Sequence, residues 1–177
     1  MRRAIFEFAA SSTSISGWRA VNDVVMGGCS QSGLSHSSEG AVFAGNVSTK
    51  QSGGFASVRS ASFQPPLDVS ASTGFEIRVK GDGNRYKFFV RTNDDRDAPA
   101  YSFPFETVAD TWICVQVPLV EMKAVRRAKT LPDAPPVDAK GILSIQLMIS
   151  KFEYDGELNS YFTEGDFSLT IASIMTY

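Results

Sequence analysis

An antiparallel β-sandwich is the fold this sequence predicts, and three observations carry it. Short runs alternate apolar and polar residues with a period of two, roughly nine or ten of them, set apart by Gly, Pro, Asn and Asp. The aromatic content is dominated by Phe, 13 residues against two Trp and five Tyr, which suits strands better than helices. No repeated strand–helix alternation runs through the chain, which argues against a parallel α/β sheet.

Residues 4–8 read as a first short strand, followed by a Ser- and Thr-rich linker over 11–16. Residues 30–38 are polar and fit an edge strand, where weak hydrophobicity is tolerated. A strand over 40–48 follows, then a tight turn at Gly53-Gly54 and a strand over 55–63 whose register is open. Pro65-Pro66 breaks the chain. Phe75, Ile77 and Val79 alternate with Glu76, Arg78 and Lys80, the cleanest half-buried strand. Gly81-Asp82-Gly83-Asn84 has the composition of a hairpin turn, and Tyr86, Phe88 and Val90 return on the next strand. Further strands are read over 101–105, 112–117 and 143–149, with a last one from Phe167 to Ile171 and Ile174 beyond. Residues 119–129 are the only credible helix, of about two or three turns. Residues 152–166 form a polar, acidic excursion.

A length of 177 residues suggests one domain over 1–177, long enough to bury a sizeable core. A net charge of −2 provides no global attraction to nucleic acid or anionic membranes. Cys29 and Cys114 form no metal or disulfide pattern, so two free thiols and a reducing compartment are expected. No apolar run approaches the ~20 residues that span a bilayer, and the N-terminus lacks the features of a signal peptide. The expected address is cytoplasmic and bacterial-type, or an organelle interior where a transit peptide precedes this sequence.

Residues capable of chemistry are scattered. His36 is the single histidine, no nucleophile elbow accompanies it, and Cys29 beside glycine backbone is the other nucleophile to weigh. Glu7, Glu76, Glu106 and Glu153 could pair as hydrolytic carboxylates, but nothing in the sequence brings them together. Asp94-Asp95-Arg96-Asp97 lacks the glycine and distal Glu of an EF-hand loop. Lys123, Arg126, Arg127 and Lys129 give a local basic patch, read as a solvated helix face. No catalytic residue, cofactor or metal is therefore expected. Arg59, Arg78 and Arg91, in predicted strands beside Tyr86 and Tyr101, suggest a binding platform, since Arg and aromatics are favoured interface anchors.

The chain is organised around residues 18–30. One large aromatic leads into an Asn-Asp pair, then an apolar run, then Gly27-Gly28. Asx residues bond nearby backbone, and paired glycines signal positive φ or close approach. We read an ordered loop pinned by buried Trp18 and Met26, with Asn22 and Asp23 bonding loop backbone.

Trp18-x-x-Val21-Asn22-Asp23-x-Val25-Met26-Gly27-Gly28-x-Ser30 resembles the opening signature of the complex I intermediate-associated protein 30 family. The resemblance continues through Ala41-Val42-Phe43-x-Gly45-x-Val47-Ser48, Gly53-Gly54-Phe55-Ala56-Ser57-Val58-Arg59, Arg78-Val79-Lys80-Gly81-Asp82-Gly83, Tyr86, Arg91 and the Trp112 strand ending at Pro118. Residues 153–166 depart from it, being longer and more acidic. The resemblance implies a galactose-binding-like jelly-roll β-sandwich with one short helix. It also implies a non-catalytic assembly factor for a respiratory or photosynthetic membrane complex of the NADH dehydrogenase type. Its partners would be protein subunits of an assembly intermediate, with RNA or carbohydrate as alternatives. The binding residues expected are Trp18, Asn22, Asp23, Met26, Arg59, Arg78, Tyr86 and Arg91, and Arg59, whose block is the other specific one in the resemblance, is the cation expected to meet Asp23. A carbohydrate-binding module stacking sugars on Tyr86, Tyr101 and Trp112 is the competing expectation, and a hydrolase ranks last.

Overall fold

Two antiparallel sheets pack face to face in the computed structural model, which describes residues 2–10 and 12–177, the side chains of residues 12, 13, 25 and 26 excepted. In chain order the strands are β1 (Arg3–Glu7), β2 (Arg19–Ala20), β3 (Gln31–Ser37), β4 (Gly40–Val47), β5 (Phe55–Arg59), β6 (Gly74–Lys80), β7 (Arg85–Arg91), β8 (Ala100–Glu106), β9 (Trp112–Pro118), β10 (Lys123–Arg126), β11 (Lys129–Thr130), β12 (Ser144–Ser150) and β13 (Gly165–Thr176). One sheet runs β3-β4-β13-β6-β9, with β1 also paired to β13; the other runs β11-β10-β8-β7-β12-β5-β2.

The alternation in the sequence sets the layers. Phe75, Ile77 and Val79 of β6 face Phe88 and Val90 of β7 through the core, all fully buried. Phe75 meets Phe88 across the sandwich at 5.4 Å between ring centroids, and Phe43 meets Tyr86 edge-on at 6.3 Å. In β13, Phe167, Leu169 and Ile171 point inward; the register then shifts between Ile171 and Ser173. The extra residue of a bulge reverses the phase of a strand, so Ile174 and Thr176 become the buried positions. The open register of residues 55–63 resolves with Ala56 and Val58 inward, and strand pairing stops at Arg59.

Two local expectations are corrected. Residues 119–129 are not a helix: a 3-10 turn at Leu119–Glu121 leads into β10, which pairs with β8 and turns back through β11. Residues 81–84 do not close a hairpin. β6 and β7 lie in different sheets, and this turn carries the chain from one layer to the other. Its Asp82 carboxylate accepts from Tyr86 Oη at 3.1 Å and from the Ser168 amide at 2.9 Å, tying the two layers together at the crossing. No helix among the described residues is long and apolar enough to cross a membrane.

Candidate functional site

The opening loop is built around one buried carboxylate. Asp23 is completely buried, and nothing cationic pairs with it among the described residues. Its Oδ1 accepts from the Ser30 amide at 2.9 Å; its Oδ2 accepts from Ser30 Oγ at 2.6 Å, the Gly54 amide at 2.7 Å and the Phe55 amide at 3.3 Å. Burial alone would push this acid up, but the Ser30 hydroxyl and the three amides outweigh it and hold the carboxyl below its ordinary range. One glycine of each Gly-Gly pair follows from this. A Cβ on Gly28 would lie 2.4 Å from the Asp23 carboxyl carbon, and one on Gly53 2.5 Å from its Oδ2. Gly27 closes the short 3-10 turn Asp23–Met26 at φ 85°, a conformation natural to glycine.

Asn22 fastens the same loop to the sheets. Its Oδ1 accepts from Ser32 Oγ of β3 at 2.6 Å and from the Ser57 amide of β5 at 3.1 Å. The Asx pair thus bonds β3, β5 and the Gly53-Gly54 turn rather than its own loop alone. Trp18 is half-buried, edge-on to Phe6 at 5.3 Å and to Phe8 at 5.8 Å. The Met26 side chain, expected to pin the loop, lies outside the described residues.

From this latch a line of hydrogen bonds leads to the outer face of the seven-stranded sheet. Ser57 Oγ donates to the Val21 carbonyl and accepts from Gln146 Nε2 at 2.8 Å. Gln146 Oε1 in turn accepts from Arg59 Nε at 3.2 Å and from Arg91 Nε at 3.5 Å. Arg59 therefore does not meet Asp23; β5 runs so that Ala56 and Val58 fill the core and Arg59 leaves on the opposite side. Arg19 stands directly across from Arg59 on β2. Burial pushes the Arg59 guanidinium down to about 10, with Arg91 and Arg19 adding to the effect and Asp94 opposing it. Arg91 is lowered by burial as well, again against Asp94. Both remain charged at neutral pH.

Toward β8 and β10 the same face opens into a cleft of about 550 Å³, bordered by Ser102, Lys123, Glu153, Tyr154 and Leu158. Lys87 is buried at its edge, 3.5 Å from Glu153 and 4.5 Å from the Tyr154 ring centroid. Burial lowers this amine, and Glu153 pulls the other way. Burial raises the Tyr154 phenol to about 12, so it stays a neutral donor, 3.3 Å from Ser102 Oγ.

Other expected residues are dispersed. Tyr86 is fully buried on the inner face, and Tyr101 is 4% exposed with its hydroxyl on the Pro135 carbonyl. Neither can stack a ligand, because the inward phase of their strands commits them to the core. Arg78 lies on the outer face of the other sheet, 5.4 Å from the Trp112 ring centroid, so the three strand arginines do not share a platform. His36 sits on edge strand β3 and bonds the Phe8 carbonyl at 3.0 Å. The basic residues 123–129 occupy a hairpin, with Arg127 paired to Asp97 at 3.1 Å. Gln146 and Arg19 are the positions of this cluster that sequence reading missed; the outward phase of the 143–149 alternation was the one signal for Gln146.

Fold and site together describe a galactose-binding-like jelly roll whose outer face is polar and cationic. Among solved structures the chain resembles a family 11 carbohydrate-binding module from Clostridium thermocellum in complex with a β-1,3-1,4-mixed-linked tetrasaccharide, with a TM-score of 0.66, 15% identity, and 99% of this chain and 94% of that one covered. The family 11 module of the cellulosomal cellulase Lic26A-Cel5E of Clostridium thermocellum gives the same TM-score, identity and coverage. The agarase AgWH50C gives a TM-score of 0.64 at 12% identity, covering 99% of this chain and 24% of the agarase. No curated protein matches. The sequence model of the complex I intermediate-associated protein 30 family matches residues 6–171, and the chain belongs to that family.

Proposed function

We propose that this protein is a non-catalytic assembly factor that holds an intermediate of an NADH-dehydrogenase-type membrane complex, respiratory or photosynthetic, through the outer face of its seven-stranded sheet. Family membership over residues 6–171 is the observation that carries the reading. The geometry supports it by assigning different tasks to the family signature and to the exposed face. Asn22 and Asp23 spend their side chains on internal amides and hydroxyls, so they hold the fold. Arg19, Arg59 and Arg91 keep donors directed outward. Arg is a favoured residue at the centre of interfaces. The test is affinity capture from detergent-solubilised membranes of the native host, read by mass spectrometry. Recovery of NADH-dehydrogenase subunits is expected; their absence under conditions that recover other known assembly intermediates overturns the reading.

The cleft beside Tyr154 favours a second reading, carbohydrate binding, because a tetrasaccharide is bound by a module that this fold resembles. Of the rings expected to stack sugar, Tyr86 and Tyr101 are buried, and Trp112 is half-buried on the other sheet beside Arg78 and Lys80. Calorimetric titration with the mixed-linked tetrasaccharide decides it: saturable heat that Tyr154→Ala removes supports this reading, and no heat rejects it for that sugar.

A further inference from the structure

Three arginines stand close together on the outer face. Arg59 and Arg19 face each other across β5 and β2. Arg59 lies opposite Gln146 across β5 and β12, and Arg91 opposite Ser144 across β12 and β7. Like charges directly opposite on a sheet destabilise it, yet none of the three forms an ion pair among the described residues. Asp94 is the acid whose charge reaches Arg59 and Arg91, but its carboxylate accepts from Ser62 Oγ at 3.2 Å and pairs with neither.

Gln146 fixes how the guanidiniums point. Its amide is buried, and Nε2 is committed to Ser57 Oγ. Oε1 must then face the arginines, because arginine offers donors only. Each of Arg59 and Arg91 uses its Nε on that oxygen, and its four Nη hydrogens take no partner among the described residues. Two half-buried forks held this way are suited to bidentate capture of an oxyanion.

We infer that Arg59 and Arg91, with Arg19 at the rim, form a carboxylate-binding site that receives an Asp or Glu side chain of the assembly partner. A singly charged carboxylate fits better than a phosphate dianion, because Asp94 contributes negative charge of its own at the edge. The partner's identity rests on the assembly-factor reading; the carboxylate site does not.

The test follows the Arg Nε–Hε signals by ¹⁵N NMR during titration of the whole protein with glutarate, with sodium chloride at matched ionic strength and inorganic phosphate as comparisons. Glutarate is expected to shift the Arg59 and Arg91 signals saturably. Arg91→Lys is expected to weaken glutarate about tenfold, the loss of one bidentate charge-assisted pair. Gln146→Glu, which supplies the carboxylate from inside, should abolish the response; it remains readable if Arg91→Lys folds poorly. Shifts that chloride reproduces, a phosphate response with none to glutarate, or unchanged glutarate affinity in both variants each overturn the proposal. Glutarate binding without capture of any membrane-complex subunit would remove the assembly reading and leave the carboxylate site standing.

Discussion

Asp23 shows how one residue can dictate the composition around it. A buried carboxylate without a cation survives by collecting donors, and four converge here. Replacing it by Ala strands those donors in the interior, where each unmet group costs about 1–3 kcal/mol; we expect Asp23→Ala to lose roughly 3 kcal/mol or more in urea unfolding. Asp23→Asn keeps the size but turns one acceptor into a donor facing donors, and should lose a comparable amount. The charge also sets a pH dependence. Its folded value lies below the ordinary carboxylate value, so the stabilisation is complete above about pH 4 and is lost as pH falls through the lower folded value. Asp23→Asn should therefore flatten the acid limb of the stability curve. Gly28→Ala places a methyl within 2.4 Å of the same carboxyl and should cost about 1–3 kcal/mol as an overpacking change, although its side chain is a single methyl.

Among the elements, those with both phases of alternation written in one run were legible from the sequence. Phe75, Ile77 and Val79 declared an inward face because Glu76, Arg78 and Lys80 declared the outward one. The turn at 81–84 was misread because Gly and Asn encode a local reversal of the backbone and say nothing about which sheet the next strand joins. Residues 119–129 were misread because Ala, Met, Lys and Arg favour a helix, while pairing of Lys123, Ala124 and Val125 with β8 overrides that preference. For Gln146 the sequence showed only an outward phase and not its partners: Arg91, Arg59 and Ser57 are 55, 87 and 89 positions away in the chain. The crossing turn makes its own prediction. Asp82 accepts from Tyr86 and Ser168 in opposite sheets, so Asp82→Ala should lower stability by roughly 2 kcal/mol in urea unfolding, and Tyr86→Phe by about 1 kcal/mol, with the double variant less than additive because they share a bond.

For the molecule as a whole, the proposed function separates holding from binding. The family signature lies at one end of a hydrogen-bonded line that runs from Asn22, beside Asp23, through Ser57 and Gln146 to the outer arginines. A sequence signature so placed meets a structural need, and the surface it supports is the one we propose for the partner. Gln at both positions keeps a donor where each Arg Nε meets the buried Gln146 Oε1 and relieves the like-charge contact, so the fold should stay intact. The direct measurement is paired: melting temperature and quantitative capture of NADH-dehydrogenase subunits for the unaltered protein and for the double variant Arg59→Gln, Arg91→Gln. The predicted result is a melting temperature unchanged or slightly raised, with capture reduced at least about tenfold. Capture that persists at full strength in a folded double variant would contradict the account.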